Sequence, residues 1–174
     1  MGKIFSLRSG MSILLLLMAF SVMGQVHGNR LSLGAGALYE RGFDATLSVE
    51  HETRHHNAWE YFGNAYIKWD DDKSVGHVTY DSFWHNYFTW GLGIAYKPCV
   101  VRSRNRFGSL RLGGSLGSDT DEVVGWVNIG YEHNYVLRHG WHLYWQVKTD
   151  VCINGRDLFR TGIVLGVKLP VGAR

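Results

Sequence analysis

Residues 51–55 read His51-Glu52-Thr53-Arg54-His55, the H-E-x-x-H pattern of zinc peptidases. On a helix this spacing puts two imidazoles on one metal and holds the glutamate beside the bound water. The neighbouring residues do not predict that helix. His51 continues the alternation of Ala45, Leu47 and Val49, "ETRHHN" reads as a turn to the next strand, and no Gly-spaced third histidine follows. The pattern is therefore read as structural, with adventitious metal capture by the His55-His56 pair as its remaining metal chemistry. His142 with Glu132, Tyr144 or Asp150 is the other set that could move a proton, as in an outer-membrane acyltransferase or protease. No serine or aspartate pair is placed with it. The strings "DDD" and "SDTDE" offer oxygen ligands of the kind calcium takes, but acids in loops are ordinarily solvated. The expectation is a non-enzymatic protein with no catalytic residue, no metal site and no cofactor.

The elements that carry these residues follow from composition and periodicity. The chain has 174 residues, 45% of them hydrophobic and 14% aromatic, with 22 Gly and 2 Pro. That balance predicts strands joined by tight turns, in a chain long enough for one domain. Lys3 and Arg8 precede "MSILLLLMAFSVMG", the layout of a secretory signal peptide and too short a run for a membrane-spanning helix. Residues 1–24 are assigned to the signal and 25–174 to a transmembrane β-barrel domain. No cysteine lies near the boundary to accept a lipid. Removing residues 1–24 takes away two bases and no acid, so 18 basic against 15 acidic residues becomes 16 against 15. A nearly neutral chain is not the electrostatic footprint of a nucleic-acid binder. The one basic run, Arg102, Arg104 and Arg106 in "RSRNR", reads as a solvated turn or a lipid-headgroup contact.

Period-two alternation recurs from about residue 30. "LFRTGIVLGVKL" sets Phe159, Thr161, Ile163, Leu165, Val167 and Leu169 against Arg160, Gly162, Val164, Gly166 and Lys168. "WHLYWQVKTD", "WEYFGNAYIKW" and "TWGLGIAYK" behave alike, and weaker versions cover 30–39, 43–51, 107–117 and 123–137. This predicts an all-β, antiparallel up-and-down outer-membrane β-barrel of about eight strands. Alternation alone does not say which face points inward, since a soluble barrel hides its apolar face. Trp59 and Trp69 stand ten positions apart on one face, which is roughly 23 Å of height for a strand tilted near 45°. That is the height of the apolar band between two aromatic girdles. The other face holds Gly, Asn and charges of both signs, as suits a narrow interior filled by side chains.

An even strand number puts both termini on the periplasmic side. "DDDKSVGHVTYDSFWHN", "GSDTDE" and "INGRD" are then outer loops, and "VLRHGW" is a tight periplasmic turn. "KPCVVRSRNR" reads as longer than that rule expects. Cys99 and Cys152 fall at opposite ends, too far apart to bridge. The predicted interior carries Asp44, Glu50, Glu60, Glu132 and Asp150 against Lys68, Arg111, Lys148, Arg160 and Lys168. Buried charges are costly alone, so these should pair across strands and plug the barrel.

At "GNAYIKWD", "DSFWHNYFTWGLGIAYKPCV", "YEHNYVLRHGWHLYWQVKTDV" and "GRDLFRTGIVLGVKLP" the chain resembles the TraO family of transfer proteins, encoded by conjugative transposons of the Bacteroides type. The resemblance spans roughly residues 50–170. It implies a structural or accessory part in a conjugative, type IV secretion-like apparatus at the cell outer membrane. The partners would be outer-membrane lipid and other apparatus proteins, with no direct nucleic-acid binding and no small-molecule substrate. The alternative is a generic surface barrel, adhesin or small porin-like, carried on a mobile element. A C-terminal aromatic residue, frequent in outer-membrane barrels, is missing at Arg174.

Overall fold

A computed structural model of the chain describes residues 28–39, 41–69, 86–119, 121–154 and 157–171. The expected signal peptide, most of the third outer loop and Arg174 lie outside the described residues. The strands are β1 (Asn29–Leu38), β2 (Gly42–Glu52), β3 (Ala58–Trp69), β4 (Asn86–Lys97), β5 (Cys99–Arg102), β6 (Arg106–Ser118), β7 (Val123–Val136), β8 (His142–Ile153) and β9 (Phe159–Pro170). Every neighbouring pair is antiparallel, β1 pairs with both β2 and β9, and β4 pairs with β6, so the sheet closes on itself. After Pro98, β5 continues the path of β4 along β6, so that Tyr96 faces Leu112 and Cys99 faces Ser109. The wall is thus an eight-stranded up-and-down barrel. A closed barrel satisfies the wall's backbone polar groups without water, the condition for a strand structure in hydrocarbon.

Asn29, the first residue of β1, and Val171, which follows β9, lie at one end of the barrel and are joined by a backbone hydrogen bond of 2.9 Å. We call this end basal and the other distal. The basal connections are residues 53–57, 98–105 and 137–141. The first distal connection is three residues, 39–41, with Arg41 at φ 62°. The connection after Lys97 is not the long loop expected from "KPCVVRSRNR". Its first half is β5, and the chain reverses in a tight turn closed by the Ser103 N–H donating to the Arg106 carbonyl at 2.9 Å. The rule of short basal turns therefore holds here too.

The two faces separate by parity. In β8, His142, Tyr144, Gln146, Lys148, Asp150 and Cys152 are all buried, and the residues between them face outward. The same register runs round the wall, so Leu33, Leu47, Leu92, Ile94, Leu112, Leu116, Ile129, Ile163 and Leu165 form an outward apolar band; Leu92 is 61% exposed. Outward positions of the eight long strands carry no Asp, Glu or Lys, and Arg106, first residue of its strand, is their one arginine. A water-facing wall would be studded with charge. Trp59, packed on Tyr96 with ring centroids 4.9 Å apart, belongs to a basal aromatic belt with Tyr135, Trp141 and Trp145, while Tyr39, Phe43, Phe88 and Phe159 stand outward towards the distal end.

Inward glycines create the room that the interior aromatics fill. Tyr144 lies across Gly34 and Gly166, and a β-carbon at either position would overlap its ring or hydroxyl. Glycine at such positions lets a backbone be approached closely, which a narrow barrel needs on its concave face.

Candidate functional site

The lumen is the chemically dense part of the molecule. Among the described residues five acids, Asp44, Glu50, Glu60, Glu132 and Asp150, and five bases, Lys97, Arg111, Lys148, Arg160 and Lys168, are buried, so the interior is balanced in formal charge. They lie in layers along the axis.

In the basal layer Lys97 from β4 and Lys168 from β9 face Glu50 from β2 and Glu132 from β7. Lys97 donates to Glu50 and, at 2.5 Å, to Glu132; Lys168 donates to Glu50 at 2.6 Å and to Glu132. Each ammonium thus bridges both carboxylates, an alternating square of charge that ties together strands from four sides of the wall. Beside it the Arg111 Nε donates to Glu60 Oε2 at 2.6 Å, and the guanidinium lies 4.2 Å from the Phe62 ring centroid. Asn134 Nδ2 occupies a further lone pair of Glu132 at 2.8 Å. Desolvation is repaid here by close charge and by hydrogen bonds to the remaining lone pairs, as a buried pair requires.

The next layer joins Lys148 to Asp44 at 2.8 Å and to Asp150 at 2.9 Å, while Asn128 Nδ2 donates to Asp150 at 2.7 Å. Further towards the distal end Arg160 donates Nη1 to the Thr89 hydroxyl at 2.8 Å and lies over the rings of Tyr66, at 4.0 Å, and Trp126, at 5.3 Å. Among the described residues, aromatic faces rather than a carboxylate meet this guanidinium. At the basal floor Phe107 lies between His56, stacked at 4.8 Å, and His142, edge-on at 5.4 Å.

Nine of the ten charges expected inside are deeply buried. Lys68 is the exception, half-buried at the distal end, where it pairs at 2.7 Å with Asp157 of the last distal connection. Lys97, absent from the expected network, is its most connected cation. It stands at the last polar-face position of "TWGLGIAYK", at the basal end of β4. The inward aromatics Phe62 and Trp126 had no signal of their own, because an aromatic on an alternating strand suits a girdle as well.

The candidate chemical sets do not assemble. His51 Nδ1 is hydrogen-bonded to Asn29 Oδ1 at 2.8 Å, Glu52 ends β2 and pairs with Arg30 and His56, and residues 54–56 form a single 3-10 turn with His55 at φ 66°. H-E-x-x-H here straddles a strand end and a turn. His142 and Asp150 share β8 eight residues apart, about 26 Å along the strand, and Glu132 is taken up by Lys97, Lys168 and Asn134. In the "SDTDE" loop Asp119 Oδ1 accepts the backbone amides of Asp121, at 3.2 Å, and Glu122, at 2.9 Å. These bonds cap the turn and hold the Asp119 carboxyl below its ordinary range. Among the described residues no group of three or more His, Cys, Asp or Glu is arranged to hold a metal. Cys99 at the basal end and Cys152, buried by Val124 and Trp126 towards the distal end, are both free.

No protein-family model and no curated protein matches the chain. Among solved structures it is similar to a major outer membrane protein from Thermus thermophilus, at 15% identity and a TM-score of 0.42, over 82% of this chain and 98% of that one. The two faces of the wall define the class: an outer-membrane-type β-barrel, apolar outside between aromatic belts, with an ion-paired interior.

Proposed function

We propose that the protein is a non-enzymatic barrel of the cell outer membrane that serves a conjugative transfer apparatus in a structural or accessory role. The observation that carries the mechanical half of this reading is the layered, charge-balanced lumen. A barrel whose interior is occupied by paired side chains is a rigid peg rather than a duct, and it is far too narrow for a DNA strand. Any part in transfer then comes from assembly: the apolar band and belts hold the barrel in the bilayer, and its two rims meet other proteins. The assignment to conjugation is supported by the likeness of the four long strings to the TraO family.

Transfer frequency from a donor cleanly deleted for the gene, and then restored, tests the reading. A drop of several orders of magnitude that is specific to the donor and rescued by the restored gene is expected. Unchanged transfer would remove conjugation from the function and leave a surface barrel.

A further inference from the structure

The basal rim has an unfinished edge. The sheet order ends at β5, which pairs with β6 on one side and has no strand partner on the other among the described residues. β3 begins at Ala58, opposite Lys97, so the β4–β5 path outruns it towards the basal end. At the start of β5 Asn57 Oδ1 accepts the Cys99 N–H at 2.8 Å, and the Cys99 thiol donates to the Val101 carbonyl at 3.4 Å; no strand of the described residues covers the vacated side. A register shift between Cys99 and Val101 leaves Val100 and Val101 both about half exposed. An unpaired edge presents main-chain donors and acceptors to any added strand.

Its surroundings are cationic. Arg102, Arg104 and Arg106 run through and beyond β5, and Arg138 projects from the adjacent basal turn; all four are exposed. None of them makes an ion pair among the described residues. Interior bases, by contrast, are almost all matched to carboxylates. The basal rim's described acid, Glu52, is already engaged by Arg30 and His56. Like charges repel a second copy of this edge, whereas a strand of opposite charge would be drawn to it.

We propose that the open edge of β5 docks an extended, acidic segment of a partner protein by strand addition, with Val100 and Val101 as apolar anchors and Arg102, Arg104 and Arg106 selecting the charge. The chemistry rests on the barrel alone. That the partner is periplasmic rests on the outer-membrane reading above, and conjugation is not needed for it.

The probe is a fluorescein-labelled ten-residue peptide of alternating valine and glutamate, titrated by anisotropy into the full-length mature barrel in phosphatidylcholine nanodiscs. Saturable binding is expected. It should weaken at least about tenfold when lysine replaces glutamate in the peptide, when alternate peptide amides are N-methylated, and in the triple variant Arg102→Ser, Arg104→Ser, Arg106→Ser. Heat-modifiable migration in gels checks that the variant is folded. If it is not, Arg104→Ser alone, in the turn outside the ladder, and the salt dependence of wild-type binding carry the same test. Absence of saturable binding, equal binding of the N-methylated peptide, or complete loss of binding in phosphatidylglycerol nanodiscs would each overturn the proposal, the last by making the rim a headgroup site. A positive peptide result beside unchanged transfer frequency would separate docking from conjugation.

Discussion

Lys97 and Glu132 show what one residue contributes to this lumen. Each ammonium of the basal square spans both carboxylates, so Lys97→Met leaves Glu50 and Glu132 sharing Lys168 with a net negative charge out of water. Loss of one partner of a buried pair costs about 3–5 kcal/mol, and urea unfolding in lipid vesicles should show a loss of that order. Removing a charge of each sign restores the balance. Lys97→Met with Glu132→Gln should therefore cost clearly less than the sum of the two single changes, the excess being their coupling in a double-mutant cycle. Steric economy makes a second case. Gly34→Ala places a β-carbon against the Tyr144 hydroxyl, and overpacking of this kind costs about 1–3 kcal/mol. Tyr144→Phe removes the hydroxyl and should recover part of that loss in the same assay. The charges were legible one by one because a Lys or Glu on an alternating strand can face only two ways. Their pairing was not, since Lys168 and Glu50 stand 118 positions apart in the chain and meet only across the closed barrel.

The strand is the element that separates membrane from lumen. A charge at the middle of the outward band should cost about 2–4 kcal/mol, and much less near a rim. Leu92→Arg, on β4 between the belts, is accordingly expected to reduce stability by that larger amount, while Val123→Arg, at the distal start of β7, should be nearly neutral in vesicle unfolding. The eight long strands were readable from alternation and turn residues. One feature was not. β5 was hidden in "KPCVVRSRNR" because Pro98 and four residues are too short for a periodic signal, and its pairing depends on β6, which follows it. The H-E-x-x-H string, by contrast, was legible as a motif without its element: with His51 and Glu52 in a strand and the rest in a turn, no common face is offered to a metal. A metal analysis of the purified protein should show no stoichiometric zinc, and His51→Ala should leave the metal content unchanged.

As a whole molecule the barrel is a filled cylinder whose basal rim exposes Arg102, Arg104, Arg106 and Arg138. A plugged lumen should give no large, sustained current in planar bilayers, and the apolar wall should keep the protein in the membrane fraction through carbonate extraction. Sustained large conductance would show that the ion layers open. The sequence by itself determined the strand class, the alternation and which residue types share a face, because a strand's side-chain period is local and follows from the pleat. It also placed Cys99 and Cys152 at opposite ends, since that follows from counting strands. Tertiary structure alone decided which charges meet, which glycines admit Tyr144, that Arg160 is met by aromatic rings, and that β5 keeps an open edge. Those outcomes depend on closure between β1 and β9 and on the stagger of the strands, and neither is encoded in any one segment.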